Sequence, residues 1–503
     1  MTMTVADTTE HASPMRGLLP LWVGVFIYAL FVLAGNRLLI DPDTLWQVAV
    51  GQWILDHRAV PQTDVFSFTM HGQPWISTQW LAQVLYAKAF AVAGWSGPVV
   101  LAAAALAATF ALLTKFLSRQ LSETHALVFV AAALALIVPH ALARPHVLAM
   151  PVMMLWVSSL IAAADRRGVP SFGSVGWMAL WANLHGGFVF GLMLIAPVAL
   201  DAVLNADVAH RKSLALRWVA FGLAALLAGC CTPYGWNSLL ASQKILSLGA
   251  VLPLIREWQA ADFGGIGAFE VCLLLGFGLA LWRGIKLPPM RIVLLLGLLH
   301  MALAQDRAAE ILGLLAPLVL AVPLAREIGG AKVSNSGSSN SGFSNSVMAA
   351  PIRGGLLAGV ALALVAGTFA YGSVHRFAPH MRGSPVAAVV ELKKLNLTRV
   401  FNDYDFGGYL IANGIPTFID GRTELYGEKF FMNYIRAVAV MNPDNLFQVF
   451  ADYKIEATLM RTETSANKLM AHIDGWQKAY ADDIATLYVR SPGAVHAMAP
   501  LVK

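Results

Sequence analysis

The chain has 503 residues, 57% of them hydrophobic and only 13% charged. A soluble domain carries about 25% charged residues, and no single globular core can hide such a deficit, so an ordinary soluble enzyme is excluded and repeated membrane spans are implied. The net charge of +6 is no sign of nucleic-acid binding, because Lys and Arg in a membrane protein chiefly report orientation.

Taken in chain order, apolar runs near 17–39, 97–117, 124–140, 147–164, 171–184, 188–204, 214–231, 266–283, 290–305, 308–325 and 354–373 read as about eleven transmembrane helices. The first run is too long for the core of a signal peptide, and no small-residue cleavage site follows it, so it reads as a retained span. The stretch 77–93, "STQWLAQVLYAKAFAVA", is apolar but carries Gln79, Gln83 and Lys88. It is expected to lie at the interface. The stretch 172–204 would be about 50 Å long as one helix, against a hydrocarbon core of about 30 Å. Gly186 and Gly187 mark a break there into two spans.

With these assignments one side collects the paired basic residues: Arg166 with Arg167, Arg211 with Lys212, and Lys286 with Arg283 and Arg291. The other side holds isolated ones, such as Arg58, Arg144, Lys244, Arg256 and Arg307. The positive-inside rule then puts the N-terminus in the cytoplasm. Residues 40–96 become a large extracytoplasmic loop within a transmembrane domain of residues 1–331. Residues 332–353, rich in Ser, Asn and Gly, read as a flexible cytoplasmic linker. A last span at 354–373 leads to an extracytoplasmic α/β domain over 376–503. In that tail "RVFNDYD", "PTFID" and "ATLYVRS" read as strands, with helices near 385–395, 406–413, 428–440 and 444–453. The expected location is the inner (cytoplasmic) membrane of a bacterium, with the tail in the periplasm. Cys230, Cys231 and Cys272 have no metal-ligand spacing and read as small buried hydrophobes.

The polar residues at span ends fall on one side. Asp41 and Asp43 follow the first span in "DPDTLW", and Arg144 and His146 sit in "LARPHVLAMP". Asn183 and His185 sit in "LWANLHGGFVFG". "IREWQAAD" supplies Arg256, Glu257 and Asp262, and "AQDRAAE" supplies Gln305, Asp306, Arg307 and Glu310. Taken singly each is an ordinary loop residue. As a set at one depth, where a charge costs about 2.5–3.5 kcal/mol to insert, they imply a shared cavity open to the outside. Carboxylates there can take a proton or bind a divalent cation such as Mg or Mn, with Asp41 and Asp43 as its ligands. Arginines suit phosphate. Together they point to an amphiphilic phospholipid substrate. In the tail, Asp403, Tyr404 and Asp405 with Asp420, Arg422, Glu424 and Tyr426 read as strand-end turns with local ion pairs, or as a face that caps the cavity and binds an acceptor.

A first span, an acidic motif immediately after it, interface helices, further spans and a soluble C-terminal domain together resemble the GT-C superfamily of integral membrane glycosyltransferases. That superfamily includes protein mannosyltransferases, aminoarabinose transferases of lipid A and oligosaccharyltransferases. The resemblance covers nearly the whole chain, with "DPDTLW" at the acidic-motif position and 77–93 as an interface helix. The Trp-Trp-Asp-Tyr-Gly motif of oligosaccharyltransferases is absent, which argues against asparagine-linked transfer. The resemblance implies a sugar donor on a polyprenyl phosphate and a glycan, lipid or protein acceptor. It implies Asp41 or Asp43 as the base of an inverting transfer, with Arg144, Arg256 or Arg307 at the departing phosphate and His146, Asn183, His185, Glu257 and Asp306 beside them. Tyr404, Asp405, Asp420, Arg422 and Tyr426 would meet the acceptor. An envelope polysaccharide polymerase or ligase is the alternative enzyme. A lipid-linked-glycan transporter or assembly protein is the non-enzymatic one, and a transporter would want polar residues at several depths and internal repeats.

Overall fold

The structure is a computed structural model and describes residues 17–327, 350–380 and 383–491. Every one of the eleven apolar runs falls on helix. Among the described residues, five helices are long and apolar enough to cross a membrane: Ser96–Leu117, Glu123–His140, Pro145–Asp165, Val208–Gly229 and Ala308–Glu327. The others are shorter or less apolar, so the protein is a mostly helical membrane protein with a small C-terminal sheet domain.

The core forms around Ser96–Leu117 and Pro145–Asp165, which bury most of their length. Small residues on the first, Ala107 and Ala111, let the first helix, Leu19–Leu33, approach at Gly24, and Ile27 and Phe31 of that helix are buried. Pro145 opens the second helix at its first position, where no N–H is needed. By contrast Ala268–Arg283 buries no residue, and Leu274, Leu275 and Trp282 stand exposed. An all-apolar helix face in that state is suited to lipid. The 172–204 run is broken as expected. Val175–Leu184 ends at His185, whose backbone is extended, and Phe188–Met193 and Ile195–Leu204 follow.

Arg291 is one of the basic residues counted on the expected cytoplasmic side. It is 3% exposed and donates to Asp201 Oδ2 at 2.9 Å, to Asp165 and to the Val319 carbonyl. The charge is spent on tying four helices together. The cysteines depart from expectation: Cys230 and Cys272 are half-buried and Cys231 is exposed. A small apolar side chain suits a lipid-facing surface as well as a core.

The first loop is two helices packed on each other, Asp43–His57 and Trp80–Ala93. Gly51 lies against the Gln83 carbonyl, so close that a Cβ would collide with it. The tail is a four-stranded sheet in the order β1-β2-β4-β3, with β1 Val400–Asn402, β2 Ala457–Arg461, β3 Trp476–Ala481 and β4 Ala485–Arg490. β1 runs parallel to β2, and the other pairs are antiparallel. "RVFNDYD" and "ATLYVRS" contain β1 and β4. "PTFID" is not a strand: Thr417 makes only an isolated bridge, to Ser67 of the first loop. β2 and β3 were not expected, and β3 is an exposed edge whose pattern lacks a buried face. The four expected helices are present, at Val386–Leu395, Gly407–Ala412, Thr423–Val438 and Pro443–Asp452. Most of the expected 332–353 linker lies outside the described residues, and the helix over the expected last span, Ala350–Val374, begins earlier than expected.

The tail sits directly on the first loop. The Gly407–Ala412 helix packs on Asp43–His57. A Cβ on Gly408 would strike the Pro42 carbonyl, and one on Gly421 would strike the Asp43 carboxylate. Two glycines therefore set how closely the tail approaches the paired acids.

Candidate active site

The acidic motif is held by its own turn. The Asp43 N–H donates to Asp41 Oδ1 at 2.7 Å, across Pro42, and Asp43 opens the helix where its charge suits the helix dipole. Arg144 is pinned through its backbone. It precedes a proline, which holds it extended. The Ala143 N–H donates to the Leu38 carbonyl at 2.7 Å, Thr44 Oγ1 to the Ala143 carbonyl at 3.2 Å, and the Tyr86 hydroxyl to the Arg144 carbonyl at 3.0 Å.

From that position the Arg144 guanidinium reaches three carboxylates. Nη2 donates to Asp41 Oδ1 at 2.7 Å and to Asp43 Oδ2 at 2.6 Å, and Nη1 donates to Glu257 Oε1. The other Glu257 oxygen accepts from Arg307 Nη1 at 2.8 Å. Backbone bonds dock the two segments: Asp306 N–H to the Gln259 carbonyl at 2.8 Å and Arg307 N–H to the Glu257 carbonyl. Arg307 Nε lies 3.8 Å from Glu310 Oε1, and Glu310 Oε2 lies 3.8 Å from His146 Nε2. The His146 and His185 rings are 6.2 Å apart, edge to face. Four segments far apart in sequence thus bring Asp41, Asp43, Arg144, Glu257, Arg307, Glu310 and His146 into one chain of contacts.

Electrostatics divides the acids. Burial pushes Asp43 from 3.8 up to about 7, the Arg144 charge opposing and Asp41 adding to it. Burial also acts on Glu257, but Arg144 and Arg307 outweigh it and hold its carboxyl below the ordinary range. One acid is therefore set to exchange a proton near neutrality while another stays ionised. As arranged, the acids do not fit Mg or Mn. Among the described residues no three His, Cys, Asp or Glu side chains are grouped to hold a metal ion, and the Arg144 guanidinium fills the space between Asp41 and Asp43.

The remaining expected residues are placed as follows. Asn183 accepts from Trp80 Nε1 at 2.8 Å and donates to the Cys231 carbonyl at 2.9 Å, so it joins Trp80–Ala93 to the bundle. His185 accepts from the Gly187 N–H at 3.1 Å. Asp306 is half exposed, 4.0 Å from His140. The Arg256 side chain lies outside the described residues. The Tyr404 hydroxyl bonds Thr423 Oγ1 at 2.9 Å; burial first, then the Asp43 charge, holds the phenol protonated. Asp405 pairs with Arg461, and burial, with Asp41 adding and Arg461 opposing, raises its carboxyl. Both therefore sit within electrostatic reach of the paired acids.

Asp420, Arg422 and Tyr426, expected to meet the acceptor, are buried and bonded to one another. Arg422 is fully buried and donates to both Asp420 oxygens, at 2.8 and 2.7 Å, and to Asp64 at 2.5 Å. Its guanidinium lies against the Phe66 and Trp75 rings, which meet edge to face, and Tyr426 donates to Asp420 at 2.7 Å. The group locks residues 64–75 of the first loop to the tail. Sequence reasoning missed Asp64 and Arg461, since a single acid in "QTDVF" and an Arg at a strand end carry no local signal. It grouped Glu310 with its neighbours but gave it no role.

No protein-family model matches the chain, and no curated protein matches it by sequence. Solved structures do match. The archaeal oligosaccharyltransferase AglB from Archaeoglobus fulgidus, in complex with an inhibitory peptide and a dolichol-phosphate, has a TM-score of 0.55 at 10% identity, over 97% of this chain and 76% of that one. The apo oligosaccharyltransferase of the same organism has a TM-score of 0.53 at 10% identity, over 90% of this chain and 70% of that one. ArnT from Cupriavidus metallidurans bound to undecaprenyl phosphate gives 0.49 at 13% identity, over 95% and 98%. The chain therefore shares the fold of the archaeal oligosaccharyltransferase structures.

Proposed function

We propose that the protein is a membrane glycosyltransferase that moves a sugar from a polyprenyl-phosphate donor to an acceptor outside the cytoplasmic membrane, with inversion. The observation that carries this is the convergence of Asp41, Asp43, Arg144, Glu257 and Arg307 at one site in a fold like that of AglB. That neighbour's structure holds a dolichol-phosphate, a lipid carrier of the proposed class.

In the proposed reaction an acceptor hydroxyl oxygen attacks the anomeric carbon while the carbon–oxygen bond to the phosphate breaks. The hydroxyl proton passes to Asp41 or Asp43. Arg144 uses Oδ1 of Asp41 and Oδ2 of Asp43, so the second oxygen of each acid is the one to receive it, within hydrogen-bond reach of the acceptor. The bonding electrons go to the phosphate oxygen, where negative charge grows opposite Arg307 and Arg144; Arg256 belongs to the same proposed clamp. Asn183, His146, His185 and Asp306 border the donor. Tyr404 and Asp405 border the acceptor from the tail, while Asp420, Arg422 and Tyr426 hold the tail in place. No metal step is required.

The reading places about eleven spans in a bacterial inner membrane, with the N-terminus cytoplasmic, residues 332–353 a cytoplasmic linker and residues 376–503 periplasmic. The test is turnover. Purified protein in vesicles containing undecaprenyl-phosphate-linked sugars should release undecaprenyl phosphate when acceptor is present, and no release with any sugar tried would end the proposal.

A further inference from the structure

We propose that Glu310 and His146 form a hydroxyl-reading subsite that recognises the donor sugar beside its phosphate; this rests on the polyprenyl-phosphate reading above. Each side chain begins a helix, Glu310 in Ala308–Glu327 and His146 in Pro145–Asp165, and the two tips meet at the polar end of the bundle. Glu310 is 5% exposed and His146 is 6% exposed. Glu310 Oε2 and His146 Nε2 have no hydrogen-bond partner, and the rest of the imidazole bears on the His140 backbone. A carboxylate oxygen and an imidazole nitrogen left unsatisfied at that depth cost free energy unless a third group completes them.

Their geometry identifies the third group. Oε2 and Nε2 are 3.8 Å apart, too far for a bond with each other. A single oxygen set to one side can stand about 2.8 Å from both. That oxygen must accept from one of the two groups and donate to the other, and a hydroxyl does both. A phosphate oxygen only accepts. The other Glu310 oxygen faces Arg307 Nε at 3.8 Å, the arginine assigned to the departing phosphate. The hydroxyl read here is therefore one close to the glycosyl phosphate bond, and on a hexose the 2-hydroxyl is the nearest. The pair senses whether that group is present and how it is oriented, because a site built to bond a hydroxyl rejects the analogue that lacks it.

The experiment measures binding of four probes to the full chain in nanodiscs: undecaprenyl phosphate, its glucosyl and mannosyl esters, which differ at carbon 2, and its 2-deoxyglucosyl ester. The wild type should bind one of the two epimers about tenfold or more tighter than the 2-deoxy probe. Glu310→Ala and His146→Leu should each erase that margin, read within each variant as the ratio of its affinity for the preferred epimer to its affinity for the 2-deoxy probe. Glu310→Gln, which keeps the shape and an accepting oxygen, should retain part of it and show that the site still folds. A margin that survives in Glu310→Ala, a wild type that binds the 2-deoxy probe as well as both epimers, or equal weakening of all four probes would overturn the inference while leaving the donor class standing. A wild type that binds none of the four would overturn the donor class, and this inference with it.

Discussion

Two arginines, Arg144 and Arg422, each gather carboxylates at the junction of the first loop with the rest of the chain, and they differ in completeness. Around Arg422 all charges are fully buried and paired, and no polar side-chain atom of Arg422, Asp420, Asp64 or Tyr426 is left without a partner. Burial works against Asp420, but Arg422 outweighs it and holds the carboxyl low. Around Arg144 the acids keep only partial exposure, Asp43 is pushed the other way, and Arg144 Nε, His146 Nε2 and Glu310 Oε2 are unsatisfied. A network that is complete in itself holds structure. One left incomplete is where a ligand belongs.

The largest effect expected from this contrast is on chemistry. Asp41→Asn or Asp43→Asn should lower turnover by about 10²–10⁴-fold for whichever acid is the base, with the protein still folded by size-exclusion chromatography. Full activity in both variants would remove the mechanism. Arg422→Met should do the reverse in kind. Leaving Asp420 and Asp64 buried and unpaired should cost about 3–5 kcal/mol, read as a large fall in melting temperature, and any activity loss should follow the loss of folded protein. Gly421→Ala should leave melting less affected than Arg422→Met but cut turnover, because its Cβ would meet the Asp43 carboxylate. If turnover is untouched, the tail does not close over the acids as described.

The smallest effects are in pH dependence, and the two regions should slope in opposite senses. The Asp43 carboxyl is raised to about 7, so the folded protein holds its proton more tightly than the unfolded chain does. The stability this contributes is complete below about pH 4 and lost as pH rises through 7. Asp420 is lowered, so its contribution is present above its unfolded value and lost only as pH falls below it. Melting curves from pH 4 to 8 should show the first slope in the wild type and a flatter one in Asp43→Asn. An unchanged slope in that variant would place the titration elsewhere.

Much of the fold was legible because span signals are local. A run such as 147–164 or 308–325 states its helix by composition, and the break near His185 follows from length against bilayer thickness. The tail was read less well. "PTFID" has strand composition, yet Thr417 bridges Ser67 of the first loop, a partner about 350 positions away. β3 was missed because an exposed edge strand needs no buried alternation. The site was legible as a set of residues at one depth, but their pairing was not. "DPDTLW" does not say that its acids will share one guanidinium, and "FIDGRTELYG" read equally well as a binding face or as a local ion-pair turn.

By itself the amino-acid sequence determined that this is a membrane protein, where its helices run, and which polar residues lie near their ends, because hydropathy, helix length and charge placement act over one or two turns. The tertiary structure alone decided which arginine meets which acid, which acid is buried enough to keep its proton, and which polar atoms stay unsatisfied. Those are properties of distance and of excluded water between segments that the chain brings together only when it folds.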